Sequence, residues 1–212
     1  MCSRRPPSCL CSDDRGAAML EFTLVISVII MVTLGVVEFS YAFYQWNAAS
    51  KAVQLGARLA AVSDPVDSTL VDITGLEGGL IPGVPLTPEP YFDRECSGAT
   101  VTCTNGGDYD AAAMDILVNG RDNDFTTTEP QGLPGMRTIF WRIRPENVVV
   151  RYIHTGLGFA GRPGGPVPTI TVELVGLEFE FILLGGLMGF GPIQIPAMHT
   201  TITGEDLSKS WP

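Results

Sequence analysis

The sequence predicts an α+β protein: a long N-terminal transmembrane helix continuing into a stalk, followed by a small antiparallel-sheet domain with one short helix. Three observations carry that prediction. An apolar run opens the chain, and no proline interrupts it between Ala17 and Asp64. Beyond Pro65 the apolar residues recur in alternation rather than at helical spacing. The chain's 24 Gly and 16 Pro among 212 residues, with 17% charged, suit a loop-rich β domain better than a helical bundle.

The first element is the helix. Ala17–Val37 is as long as the ~20 residues that cross a bilayer core. Arg4, Arg5 and Arg15 precede it, whereas the next basic residue is Lys51. That asymmetry sets the N-terminus in the cytoplasm and the rest of the chain outside. A cleaved secretory signal would have an apolar centre of roughly 7–15 residues and a small-residue cleavage site. Here the run is longer and continues through "EFSYAFYQWNAAS" with no turn signal. One helix is therefore expected over residues 17–62, roughly 70 Å long at 1.5 Å per residue. Its first half is lipid-embedded and its second half projects. Pro65, which cannot continue a helix, closes it just after Val62.

Two carboxylates flank the apolar run. A carboxylate at membrane depth is costly unless it is neutralised, paired or able to reach the interface. Glu21 either lies in the cytoplasmic headgroup layer, with the span running from Phe22 to about Tyr44, or pairs with an opposite charge. Glu38, at the far end, reads as an interfacial or helix–helix contact. In the outer half Ala48, Ala52, Gly56 and Ala60 recur every four residues. Such a stripe lets another backbone approach closely, and its partner is either the chain's own β domain or a second subunit.

The stretch "RGAAMLEF", Arg15–Phe22, places a Gly, four residues, Glu and an aromatic at the head of an apolar helix. It resembles the processing site of type IV pilin-like proteins. The longer stretch Arg15–Ala61 resembles the TadE family, minor pilin-like components of tight-adherence (Tad) pilus systems. Glu21–Phe22, "VVEF" at Val36–Phe39 and "AASKAVQLGARLAA" at Ala48–Ala61 carry that resemblance, and Thr169–Thr203 is similar to the ends of such proteins. It implies removal of residues 1–16 by a prepilin peptidase, cutting between Gly16 and Ala17. Glu21 would then be the fifth residue of the mature chain and pair with the Ala17 ammonium of a neighbouring subunit, which sets axial register. The implied partners are the lipid bilayer, other pilin-like subunits and pilus assembly proteins, in a bacterial inner membrane. No cofactor and no catalysis are implied. The competing reading is a membrane-tethered extracytoplasmic enzyme or ligand-binding domain. A mere anchor has no use for the small-residue stripe, whereas a pocket of convergent polar groups would favour that second reading.

Past the helix, residues 63–107 read as an irregular Pro/Gly-rich segment with a disulfide loop, and 108–212 as a short helix and a β-rich domain. Pro82, Pro85, Pro88 and Pro90 mark the extended part. Cys96 and Cys103 lie across the proposed membrane from Cys2, Cys9 and Cys11. On that oxidising side they are free to form a disulfide. Zinc is the competing reading, and no nearby Cys or His completes a site. Asp108 is the expected cap of a helix over 109–119, with Gly120 as its stop. "RDNDFTTTEP" is a polar loop; its Asp122 and Asp124 lack the Gly and distant Glu of an EF-hand.

Strands are expected next. Ile139, Trp141 and Ile143 alternate with Phe140, Arg142 and Arg144; Val148, Val150 and Tyr152 alternate with Val149, Arg151 and Ile153. Ile170, Val172 and Leu174 share a face. Parity then flips to Leu177, Phe179 and Phe181, which a bulge at Gly176 would restore. Ile193, Ile195 and Ile202 suggest one last strand. The apolar run Ile182–Ile193 is too short to span a bilayer and reads as a core-facing loop or an exposed contact.

Net charge is −10, spread along the chain. A phosphate-binding face needs clustered Lys and Arg, and none is evident after Arg15, so nucleic acid is not an expected partner. G-x-S-x-G, H-E-x-x-H and P-loop motifs are missing from the sequence. His154 and His199 read as strand-end residues.

Overall fold

The structure is a computed structural model that describes residues 14–77, 79–87, 92–121, 134–179, 181, 185–186, 189 and 191–204. The chain divides into two compact units, Met1–Tyr41 with Phe181–Gly191, and Ala42–Glu180 with Pro192–Pro212. Helix α1 (Asp14–Val62) runs unbroken for 49 residues and contributes to both.

The second unit is built on a five-stranded antiparallel sheet in the order β2-β1-β3-β4-β7. Its strands are β1 (Asp93–Ser97), β2 (Thr102–Cys103), β3 (Val148–His154), β4 (Pro168–Leu174) and β7 (Met198–Thr203). Strands β5 (Glu178–Phe179) and β6 (Ile193–Gln194) form a separate two-stranded pair. Period-2 alternation works as expected in the two central strands. Val148, Val150 and Tyr152 face the core and pair in register with Leu174, Val172 and Ile170. All six are buried, and fully burying a side chain such as Ile170 or Val172 contributes about 1.5–3 kcal/mol.

Two helical elements complete this core. One is α2 (Ala111–Asn119), which buries Met114, Leu117 and Val118. The other is the C-terminal part of α1, where Ala49, Ala52, Val53, Ala57 and Ala60 are each no more than 1% exposed. The outer half of the helix, read as a stalk, is therefore packed into the core of the domain that follows it, one of the two partners the stripe allowed. Its exposed residues, among them Lys51, Gln54 and Arg58, lie between the buried ones at helical spacing.

Several sequence expectations are corrected here. The cap of α2 is Asp110, whose Oδ1 accepts from the amides of Ala112 and Ala113 at 2.8 and 3.2 Å. Asp108 is diverted because its amide donates to Asp67 and its carbonyl accepts from Ser68. Gly120 stops the helix as expected, at φ 83°, a left-handed value that glycine adopts without strain.

Residues 139–144 are not a strand. Met136–Ile139 form a helical turn, α3, and Pro145–Asn147 a 3₁₀ turn. The buried residues there are Met136, Phe140 and Ile143, spaced by four and three rather than by two. Gly176 does not bulge one strand. It turns at φ 66°, ends β4 and delivers Leu177 and Phe179 to the second pair. The single last strand is two, β6 and β7. The segment read as irregular around the cysteines is the β1–β2 hairpin of the main sheet.

Cys2, Cys9, Cys11, Pro88, Pro90, Asp122, Asp124 and half of the run Ile182–Ile193 lie outside the described residues.

Candidate functional site: the N-terminal helix

In the first unit every large apolar side chain from Met19 to Val32 is exposed, Phe22 at 65% and Val28 at 61%. No soluble fold leaves so long a stripe of Leu, Ile, Val and Phe in water. The polar residues within it are made compatible with lipid by the helix itself. Thr23 donates to the carbonyl of Leu20 at 2.8 Å, Ser27 to Thr23 at 2.9 Å, and Thr33 to Ile30 at 2.9 Å. Each hydroxyl is satisfied by a carbonyl three or four residues back, so none faces hydrocarbon with an unmade bond. The helix fits a single-pass membrane anchor by length and composition.

Glu21 is exposed on this helix, available to a partner outside the chain. Glu38 is the opposite case, at 2% exposure. Gly16 is helical, and a Cβ added there would meet nothing within 4 Å. The fold thus gives no steric reason for glycine at that position, where alanine would favour the helix by about 1 kcal/mol.

The small-residue stripe has a partner within the second unit. Ala52 and Ala60 are 0% and 1% exposed, and Ala48 is 8%. At Gly56 an added Cβ would lie 2.5 Å from the Sδ of Met136, itself fully buried. The helix and α3 meet there as closely as a glycine permits.

A polar node ties the helix end to the sheet. Asp67, fully buried, accepts through Oδ1 from the Thr69 amide at 3.0 Å, the Thr69 hydroxyl at 2.7 Å and the Asp108 amide at 3.0 Å. Its Oδ2 lies 3.7 Å from Arg94 Nε on β1. Next to it, the Val66 amide donates to the Tyr152 hydroxyl at 3.0 Å. Burial raises the pKa of that phenol. Cys96 and Cys103 are register partners across β1–β2, with Cα atoms 4.0 Å apart and their sulfurs joined.

His154 is buried at the end of β3 against the Phe92 ring, centroids 5.7 Å apart, and His199 sits in register with Glu173. Among the described residues no group of three or more His, Cys, Asp or Glu is placed to hold a metal ion.

One feature went unread in the sequence. Arg137, Arg142 and Arg144 line a common open groove of about 480 Å³, with Trp141 and Glu178. The expectation that no basic cluster follows Arg15 is overturned by that grouping. Its signal was the density of arginine in "MRTIFWRIRP", masked by a reading of the segment as a strand.

No curated protein and no solved structure matches this chain. The family model for TadE-like proteins matches residues 16–58. That span runs from the glycine heading "GAAMLEF" to the arginine of "GAR", and over it the N-terminal helix is similar to that of TadE-like proteins.

Proposed function

We propose that this chain is a membrane-anchored, pilin-like subunit of a Tad-type pilus or a related secretion system, acting by packing rather than by catalysis. Its N-terminus faces the cytoplasm and its sheet domain lies outside the inner membrane. The TadE-like match over an exposed, lipid-compatible helix carries this reading. Two residues sharpen it. At Gly16 packing does not require glycine, since an added Cβ would meet nothing within 4 Å; recognition by a prepilin peptidase would require it. Glu21 is exposed five positions on, and in this reading it receives the ammonium of a neighbour's Ala17. In a low-dielectric setting that attraction specifies one axial offset between subunits. The disulfide Cys96–Cys103 fits an oxidising compartment on the far side of the membrane.

The test is intact mass of the protein extracted from its native membrane, together with Glu21→Ala. Loss of residues 1–16, with assembly impaired but membrane insertion intact in the variant, supports the reading. A full-length chain removes the processing claim, and normal assembly of the variant removes Glu21 from the mechanism.

A further inference from the structure

We propose that strand β7, Met198–Thr203, is a self-association edge. A second copy of this chain adds its own β7 there, antiparallel, about a two-fold axis through Thr201. The proposal stands on the sheet domain alone and does not depend on the pilus reading.

The phase of the hydrogen bonds is the first observation. β7 is an outermost strand of the main sheet and pairs with β4 on one side. The Gly204 amide donates to the Pro168 carbonyl at 2.8 Å, and Thr203 lies opposite Thr169. In an antiparallel ladder that bond makes Thr169 and Thr203 a non-hydrogen-bonded pair, and the pairs then alternate. Thr200 and Ile202 therefore bond to β4, whereas His199, Thr201 and Thr203 turn their amides and carbonyls outward. The far side of β4 gives the same phase. There the Val175 amide donates to the Asn147 carbonyl at 2.9 Å, beside the pair Val148 and Leu174. Among the described residues the outward amides and carbonyls of β7 make no hydrogen bond. Their three side chains are exposed.

Lack of protection is the second observation. Proteins blunt their edge strands with charge, proline, a bulge or shortness. β7 pairs through six consecutive residues without a bulge, and "MHTTIT" contains no Lys, Arg, Asp, Glu or Pro. The opposite edge of the same sheet shows the contrast. Strand β2 is two residues long and is cross-linked to β1 through Cys96–Cys103.

The fit of the strand to its own copy is the third, and it selects the occupant. With Thr201 on the axis, Thr201 faces its counterpart and His199 faces the counterpart of Thr203. Each outward amide then meets a carbonyl, two bonds to a pair. Threonine opposite threonine is a pairing this sheet already makes, with the Thr171 and Thr201 hydroxyls 3.0 Å apart. On the core side burial fades at β7. Ile170, Val172 and Leu174 are at most 2% exposed, while Met198, Thr200 and Ile202 are only partly covered. A second β7 continues that row, its Ile202 opposite Thr200, and closes the contact by symmetry. Two chains of net charge −10 repel, and an edge without acidic residues is where they meet with least repulsion.

The test uses the full chain in neutral micelles over a range of protein concentrations, with association followed by sedimentation. As dimer forms, amide exchange at His199, Thr201 and Thr203 should slow by about tenfold or more, while Thr200 and Ile202 exchange slowly throughout. Thr201→Pro removes an amide the fold does not use and with it both bonds of the central pair. The dimer should weaken by about tenfold or more. Thr201→Lys keeps that amide and sets two like charges opposite each other, weakening the dimer about fivefold; it is the safeguard should proline disturb the strand. With Cys2, Cys9 and Cys11 replaced by serine, Thr201→Cys should cross-link to its copy across about 5.5 Å between Cα atoms, and Thr203→Cys should not.

A monomer at every concentration overturns the proposal. So does protection of the three outward amides in the monomer, which would mean that the chain covers this edge itself. A dimer indifferent to both Thr201→Pro and Thr201→Lys places the contact elsewhere, helix α1 included, and overturns it as well. Self-linking by Thr203→Cys as readily as by Thr201→Cys refutes the two-fold register. None of these outcomes bears on the membrane anchor or on processing at Gly16.

Discussion

Gly56→Ala adds a single methyl group at the closest approach between helix α1 and the turn at Met136. The added carbon would lie 2.5, 2.9 and 3.1 Å from the Sδ, Cγ and Cε of Met136, all inside contact distance. Met136 is fully buried, so its thioether moves only by displacing its own neighbours. Overpacking of this kind costs about 1–3 kcal/mol. Exchanging glycine for alanine within a helix returns about 1 kcal/mol. The expected net effect is a destabilisation of roughly 1 kcal/mol. Met136→Ala alone should cost about 2–5 kcal/mol through lost burial and a cavity. In that background the obstructing atoms are gone, and Gly56→Ala should stabilise by about 1 kcal/mol.

The reversal of sign is the diagnostic, with a coupling near 2 kcal/mol between the two sites. Urea unfolding in neutral micelles, followed by tryptophan emission at two protein concentrations, measures it. Stabilisation by Gly56→Ala of equal size in both backgrounds would refute the close approach. A cost that grows with protein concentration would reassign the stripe to contact between subunits.

Other perturbations have equally definite outcomes. Asp67→Ala removes the buried acceptor of three hydrogen bonds and leaves Arg94 without its ion pair; a loss of about 3 kcal/mol in unfolding free energy is expected, read as a lower urea midpoint. Reducing Cys96–Cys103, or replacing both with serine, opens a short loop and should cost about 2–3 kcal/mol, read as a lower melting temperature under reductant. The hydrogen bonds from Arg151 hold the Asp93 carboxyl below its ordinary value of 3.8, so the pair contributes above that pH and is lost as pH falls through the depressed value. Both side chains are more than one-third exposed, which limits the contribution to under about 1 kcal/mol. Asp93→Asn should flatten the acid limb of the stability–pH curve by that amount. Gly16→Ala should leave the helix intact or firmer by circular dichroism, while intact mass shows the first sixteen residues retained.

How far the sequence revealed the fold depended on what each residue had to satisfy. The anchor was plain because lipid imposes one requirement on every position, and Phe22 through Val37 meet it. The central strands were plain because Val148, Val150 and Tyr152, and then Ile170, Val172 and Leu174, alternate without exception. Residues 139–144 were misread because Ile139, Trp141 and Ile143 alternate by accident; only Ile143 is buried, while Phe140, on the opposite parity, fills the core. Asp108 and Asp110 are equivalent as caps in sequence, and only the long-range bond from the Asp108 amide to Asp67 decides between them. The alanine stripe announced a close neighbour without saying which. The arginine groove brings Gly176 and Glu178 beside a segment some thirty positions earlier, a proximity that exists only once the sheet has formed.

The order of assembly of this domain carries a consequence for timing. Its core begins with Ala48–Ala61 of the helix and is covered at the far edge of the sheet by β7, from Met198 to Thr203. During synthesis the first core element emerges well over a hundred residues before the last described strand. Until β7 arrives, β4 presents a bare edge and Ile170 lacks its partner Ile202. Contacts so distant along the chain form slowly. The nascent domain is therefore open to proteolysis until that strand is made, and a chain stalled or cut before Met198 leaves β4 as a bare edge. Completion of the last strand acts as a checkpoint on the fold itself, passed only by chains that extend through Thr203.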